Sequence, residues 1–346
     1  MTIANAPGNW MRGALLAGAA LLAAQPALAD EVNIYTTREP GLIQPLLDAF
    51  TKSTGIEVKT VALKEGLAER VASEGANSPA DVLMTVDIGN LVDLVDAGVT
   101  QPVKSDALEA AIPANLRDAD GNWFALSLRA RVLYADKDLT DLTSFTYEEL
   151  ADPKWQDKVC IRSGKHPYNI ALIATMIAKD GAEKTEVWLK GVKDNLARPA
   201  AGGDRDVARD IMGDICSVGL ANSYYVGLMR SGRGGPEQED WGRAIKVILP
   251  TFADGSGTQV NVSGAAVAKN APNRDSAVKL LEYLVSDEAQ GIYASANYEY
   301  PVKPGAPVDP IIEALGPLKV EAIQLTEIAA NRKQAAELVD KVGFDE

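Results

Sequence analysis

"VNIYTTREPGLIQPLLDAFTKSTGIEVKTVAL", residues 32–63, decides the fold. "VNIY" is a short β-forming run, "TTREPG" breaks it, and "LIQPLLDAFTKSTG" sets Leu42, Leu46, Ala49 and Phe50 at helical spacing before Gly55 stops it. "IEVKTVAL" (56–63) then alternates as a strand. The order repeats with a helix over about 66–74, a strand "DVLMT" (81–85) and a helix from Ile88 to Ala97 ended by Gly98. Strands separated by helices predict a parallel α/β sheet.

A second set of units follows "LRARVLY" (128–134). "KVCIR" (158–162) reads as a strand, "SGKHP" as a loop, and "YNIALIATMIAKDG" as a helix with Pro167 suited to its first turn. "SVGLA" (217–221) is a strand, and "NS" is an N-cap pair for a helix starting at Tyr224. "RSGRGGPEQED" (230–240) reads as a loop, and "DSAVKLLEYLVSDEAQGIYAS" as one long amphipathic helix. A chain of 346 residues is long for one core, so two lobes are expected.

The formal charge of −14 argues against nucleic acid or an anionic membrane surface as partner. In the first 29 residues Arg12 is the only charge, an Ala/Leu run spans 14–24, and "ALA" (27–29) precedes Asp30-Glu31. That is the layout of a secretory signal cleaved after Ala29. A membrane anchor is the alternative, but the apolar run falls short of the roughly 20 residues a bilayer needs. In an oxidising compartment Cys160 and Cys216 read as a disulfide, worth roughly 4 kcal/mol by loop closure. A two-cysteine metal site lacks further thiols and close spacing.

Ligands of open α/β sheets bind beyond the carboxyl ends of strands. Three loops lie at such ends: 36–41 with Arg38 and Glu39, 163–168 with His166 and Tyr168, and 222–225 with Tyr224 and Tyr225. Phenols ionise near pH 10, so a strong cation is needed to hold them as phenolates at neutral pH. Three converging tyrosines suit a hard trivalent metal such as ferric iron. The plainer readings are packing for the tyrosine pair, a solvated loop position for His166, and a loop ion pair between Arg38 and Glu39. "RAR" (129–131) is either a surface charge pair or an oxyanion contact. The single histidine and the lack of "GxSxG", "HExxH", "GxxxxGK[ST]" or "GxGxxG" leave little room for catalysis. An exported α/β hydrolase would have to use His166.

"VNIYTTREPGLIQPLLDAFTKSTGIEV", "LSLRARVLYADKD", "KVCIRSG", "GDICSVGLANSYYVGLM" and "SGAAVAKNAPNRDSAVKLLEYLVSDEAQGIYASANYEYPV" together resemble the periplasmic ferric-iron-binding proteins. These are the substrate-binding subunits of ABC iron importers in the bacterial transferrin-like group. The resemblance implies a two-lobed periplasmic-binding fold of the class II type. One lobe would take residues 30–131 plus about 257–300, the other about 132–256 plus 301–346. It implies a carrier that delivers Fe³⁺ to an inner-membrane permease with its ATPase; a monomer is expected, and the charge and the lack of a later long apolar stretch speak against nucleic-acid binding and membrane insertion.

The "NxYY" ligands of the family fall on Tyr224 and Tyr225, and the tyrosine after "CIRS" falls on Tyr168. The branch with that tyrosine also carries a cysteine pair matching Cys160 and Cys216. Arg129 and Arg131, with Arg38 and Asn222, become candidates to hold a synergistic anion such as carbonate or to back the ligands. The first loop departs from the pattern "SxRHY" or "xGQH". Glu39 stands in the place of the histidine, Pro40 in that of the tyrosine, and Val86 in that of a ligand glutamate. The first lobe then offers Glu39 alone, with an anion or water beside it, unless Glu39 pairs with Arg38 or Arg129. The alternative ligand for the same fold is an oxyanion, a polyamine or a thiamine-like organic cation.

Overall fold

The computed structural model describes residue 1 and residues 30–346, so the expected export signal lies outside the described residues. Within them, β1 (Glu31–Thr36) runs parallel to β2 (Glu57–Ala62) on one side and to β3 (Val82–Thr85) on the other. The helix Pro40–Thr54 connects the first two strands and ends at Gly55, whose φ of 75° is the left-handed conformation a glycine tolerates. Its buried stripe is Ile43, Leu46, Leu47 and Phe50, while Leu42 stays at the surface, so the core face is rotated by one position from the expected one.

The remaining strands are β4 (Thr100–Gln101), β5 (Phe124–Asp136), β6 (Val159–Cys160), β7 (Val218–Asn222), β8 (Ile245–Ile248), β9 (Val260–Ala268) and β10 (Tyr300–Pro301). The sheet order is β2-β1-β3-β9-β5-β7-β6. β5 decides the architecture. Its first part, from Phe124 to Ala130, pairs antiparallel with β9, and its second part, from Arg131 to Ala135, pairs antiparallel with β7. β5 therefore leaves one half of the sheet and enters the other at Arg129–Arg131, and every residue of it but the last is buried. The sheet is mixed, contrary to the all-parallel expectation. β5 carries the chain out of the first half and β9 brings it back, so the two central strands must oppose each other.

Other expectations change in detail. The single helix over 275–295 is two, Arg274–Leu284 and Asp287–Asn297, because Ser286 caps the second by accepting from Ala289 N at 3.2 Å. The expected loop 230–240 contains the start of a helix, Pro236–Ala244, with proline and two glutamates in its first turn. The strand at 158–162 shrinks to Val159–Cys160. Asn222 is the last residue of β7 rather than a cap, and the Ser223 hydroxyl accepts from Ala130 N at 3.3 Å instead of capping the helix that follows.

The expected disulfide joins Cys160 to Cys216, with Cα atoms 5.8 Å apart. It ties β6 to the entry of β7, its parallel neighbour. These two strands lead into the loops that carry the three tyrosines.

Candidate metal centre

Tyr168 is the second residue of the helix Pro167–Asp180, and Tyr224 and Tyr225 open the helix Tyr224–Arg230 directly after β7. Both segments leave the same edge of the parallel pair β6 and β7, so the side chains converge. The Tyr168 and Tyr224 hydroxyls are 3.1 Å apart, and the rings of Tyr224 and Tyr225 pack at a tilt of 36° with centroids 4.1 Å apart. The three tyrosines share one cavity of about 470 Å³ with Arg38, Glu39, Val86, Arg129 and Glu299. The tyrosines come from one half of the sheet, and Arg38, Glu39 and Val86 come from the loops after β1 and β3, so the cavity is a cleft between the halves.

Burial and the neighbouring phenols Tyr168 and Tyr225 push the Tyr224 phenol well above its ordinary range. Burial and Tyr168 push Tyr225 the same way. Without a cation these groups are neutral, and the Tyr224 hydroxyl shares a hydrogen bond with that of Tyr168. A highly charged ion between them reverses that preference, because it favours the ionised form more than burial disfavours it.

His166 caps the helix that holds Tyr168: its Nδ1 accepts from Tyr168 N at 3.2 Å, and its ring meets Tyr168 edge-on at 4.4 Å. Burial and the Arg162 charge hold it down to about 4, so it is neutral, and it is not among the residues lining the cavity. Glu39 does line the cavity, at the exposed position before the helix Pro40–Thr54. It forms no ion pair among the described residues. Arg38 turns inward instead, to Glu299 Oε1 at 2.7 Å and Ser263 Oγ at 2.6 Å, so the expected Arg38–Glu39 pair does not form. Burial by itself raises the Glu299 carboxyl, yet Arg38 and Arg129 hold it below its ordinary value. Arg129 gives one terminal nitrogen to Val262 O at 2.9 Å, and its buried Nε has no partner.

Arg131 and Asn222 do not line the cavity. Arg131 donates to Asp204 Oδ2 at 2.7 Å, to Asn222 Oδ1 at 3.2 Å and to Asn169 Oδ1 at 2.7 Å. Asp204, itself 1% exposed, also accepts from Asn222 N at 2.8 Å and from Arg162 at 3.2 Å. This buried network joins β5, the end of β7 and the residue next to Tyr168, so it holds the tyrosine-bearing segments in register. Asp204, Asn169, Arg162 and Glu299 escaped sequence reading. Nothing in "GGDRD" or "ANYEY" marks an acid that closes on arginines far away in the chain.

Among the described residues no group of three or more His, Cys, Asp or Glu side chains is placed to hold a metal ion. The oxygen donors that line the cavity instead include the three phenols with Glu39 and Glu299. Phenolate and carboxylate are hard donors and suit a hard, highly charged cation.

Residues 77–320 match the family model of the bacterial extracellular solute-binding proteins. Iron uptake protein A2 of Synechocystis sp. is 42% identical over 321 residues, covering 92% of this chain and 91% of its own. The Bordetella ferric binding protein superposes with a TM-score of 0.89 at 66% identity, covering 92% of this chain and 100% of its own. A Trichodesmium protein in complex with iron and citrate ligands superposes with a TM-score of 0.86 at 41% identity, covering 91% and 99%. The α/β architecture around β5 and β9 is the two-lobed one of these binding proteins.

Proposed function

This chain belongs to the bacterial extracellular solute-binding proteins, and on that premise we propose that it binds ferric iron in the cleft and hands it to an ABC importer. Tyr168, Tyr224 and Tyr225 serve as phenolate ligands, and Glu39 supplies a carboxylate from the facing lobe. The observation that carries the reading is the 3.1 Å approach of the Tyr168 and Tyr224 hydroxyls beside the packed Tyr225 ring. Three phenolates balance the charge of Fe³⁺, and the names and ligands of the relatives point to the same ion.

The cleft suits the alternative ligands less well. An oxyanion as sole ligand would need several free guanidinium groups, but both terminal nitrogens of Arg38 are taken by Glu299 and Ser263, which leaves Arg129 alone. A polyamine needs carboxylates, and the two in the cavity are Glu39 and the already paired Glu299. Arg129, with its unpartnered Nε, is the group suited to a small synergistic anion such as carbonate beside the iron.

In this reading the chain is exported to the periplasm, loses its first 29 residues, and works as a monomeric carrier rather than an enzyme. We place the lobes at 30–131 plus about 257–300 and at about 132–256 plus 301–346, hinged on β5 and β9. The docking partner is an inner-membrane permease with its ATPase. Adding ferric iron to the purified protein should produce a visible phenolate-to-iron charge-transfer band. The reading fails if no band appears, or if the band is unchanged in a Tyr224→Phe/Tyr225→Phe double variant.

A further inference from the structure

Two guanidinium groups approach the ring of Tyr168. Arg129 lies 5.6 Å from the ring centroid and forms part of the cavity wall. Arg162 lies closer, at 5.1 Å, and is not part of that wall. Its side chain is 15% exposed, one terminal nitrogen donates to Asp204 Oδ1 at 3.2 Å, and its buried Nε has no partner. The backbone that bears it is also held, since Asn169 Nδ2 donates to the carbonyls of Arg162 and Ser163 at 3.0 Å each.

Asp204 carries one negative charge against two guanidinium groups, those of Arg131 and Arg162. Arg131 holds the shorter contact and has further partners in Asn222 and Asn169. One carboxylate cannot neutralise both arginines, so a net positive charge remains in the Asp204 group, whose Arg162 lies over the Tyr168 ring. A cation over an aromatic face stabilises the electrons of that ring, more so when water is excluded, and most of all once the ring carries a phenolate charge.

We propose that Arg162 is a positioning residue of the metal centre: held over Tyr168 by Asp204, it lowers the energy of the phenolate electrons and so sets how readily that ligand shifts charge onto bound ferric iron. The proposal rests on the iron reading above. Tyr168 has two guanidinium groups over its ring, where Tyr225 has Arg205 alone, at 5.8 Å from its centroid.

The test uses the iron-loaded full chain and the position of its charge-transfer band. In Arg162→Leu the band should move to longer wavelength, because the phenolate electrons are no longer held down. Arg162→Lys, which keeps the charge but not the flat stack, should show a smaller move in the same direction. In a Tyr168→Phe background, Arg162→Leu should move the band no further, since the ring through which Arg162 acts has lost its oxygen.

A role limited to holding the fold would lower the melting temperature and leave the band maximum in place. A band at the wild-type wavelength in Arg162→Leu, or an equal shift with and without the Tyr168 hydroxyl, overturns the proposal. Where the leucine variant does not fold, the lysine variant decides, and an unmoved band overturns the proposal in the same way. If the wild-type protein shows no band, the iron reading itself falls, which is a distinguishable failure.

Discussion

Replacing Cys160 and Cys216 with serine removes the one covalent tie between the strands that present the tyrosines. The cysteines are 56 positions apart in sequence, and β6, which holds Cys160, is only two residues long. Opening a loop of that size restores chain entropy to the unfolded state worth about 4 kcal/mol. Chains somewhat shorter than this one lose about 2–4 °C of melting temperature per kcal/mol, so the double serine variant should melt on the order of 10 °C lower. Differential scanning calorimetry of the iron-free protein, in oxidised, reduced and serine forms, measures this directly. The iron band at room temperature should persist, because β6 still pairs with β7 and the Asp204 network still holds Asn169 and Asn222. A melting temperature within about 2 °C of the parent would refute the loop-closure argument, since it would mean that less than about 1 kcal/mol is at stake. Loss of the band with little loss of stability would refute the claim that the tyrosines are held by the buried network.

Tyr224→Phe should weaken ferric binding by at least about 100-fold in chelator competition, because outer partners of metal ligands alone are worth 10–100-fold and this is a direct ligand. Iron binding should release protons, measurable with an indicator dye, because burial and neighbouring phenols keep Tyr224 and Tyr225 protonated until the metal arrives. Protons then compete with iron for the same oxygens, so affinity should fall as pH falls, and a pH-independent affinity would contradict the assignment. Asp204→Asn should cost about 3–5 kcal/mol in denaturant unfolding by leaving buried arginines uncompensated, whereas Lys59→Gln at the exposed pair with Glu31 should leave the unfolding midpoint almost unchanged. Gly227→Ala should lower the melting temperature although alanine favours helices, since the new Cβ would sit 2.1 Å from the Tyr298 ring, and a higher melting temperature would refute that packing.

The first α/β unit was legible because each of its signals is local: a β run, a breaker, a helical stripe and a stopping glycine within 32–63. The tyrosines were legible for the same reason, since a strand end followed by a helix start is visible within ten residues on either side. The site's departure at Glu39 was legible as well, and Glu39 does face the cleft. The direction of β9 was hidden, because nothing in "VNVSGAAVA" says which strand it will lie beside. The break at Ser286 was written in the sequence as a serine followed by two acids, but the apolar periodicity on both sides masked it.

The sequence by itself determined that three phenols and the Glu39 carboxylate would lie at strand ends. Tertiary structure alone decided which charges stand behind those oxygens. Arg38 is neutralised by Glu299 across 261 positions, and Arg131 and Arg162 share Asp204 across 73 and 42. Local propensity acts over a few residues, whereas a buried charge must find its partner wherever folding brings one, because leaving it alone in a low-dielectric interior costs more than any local preference is worth.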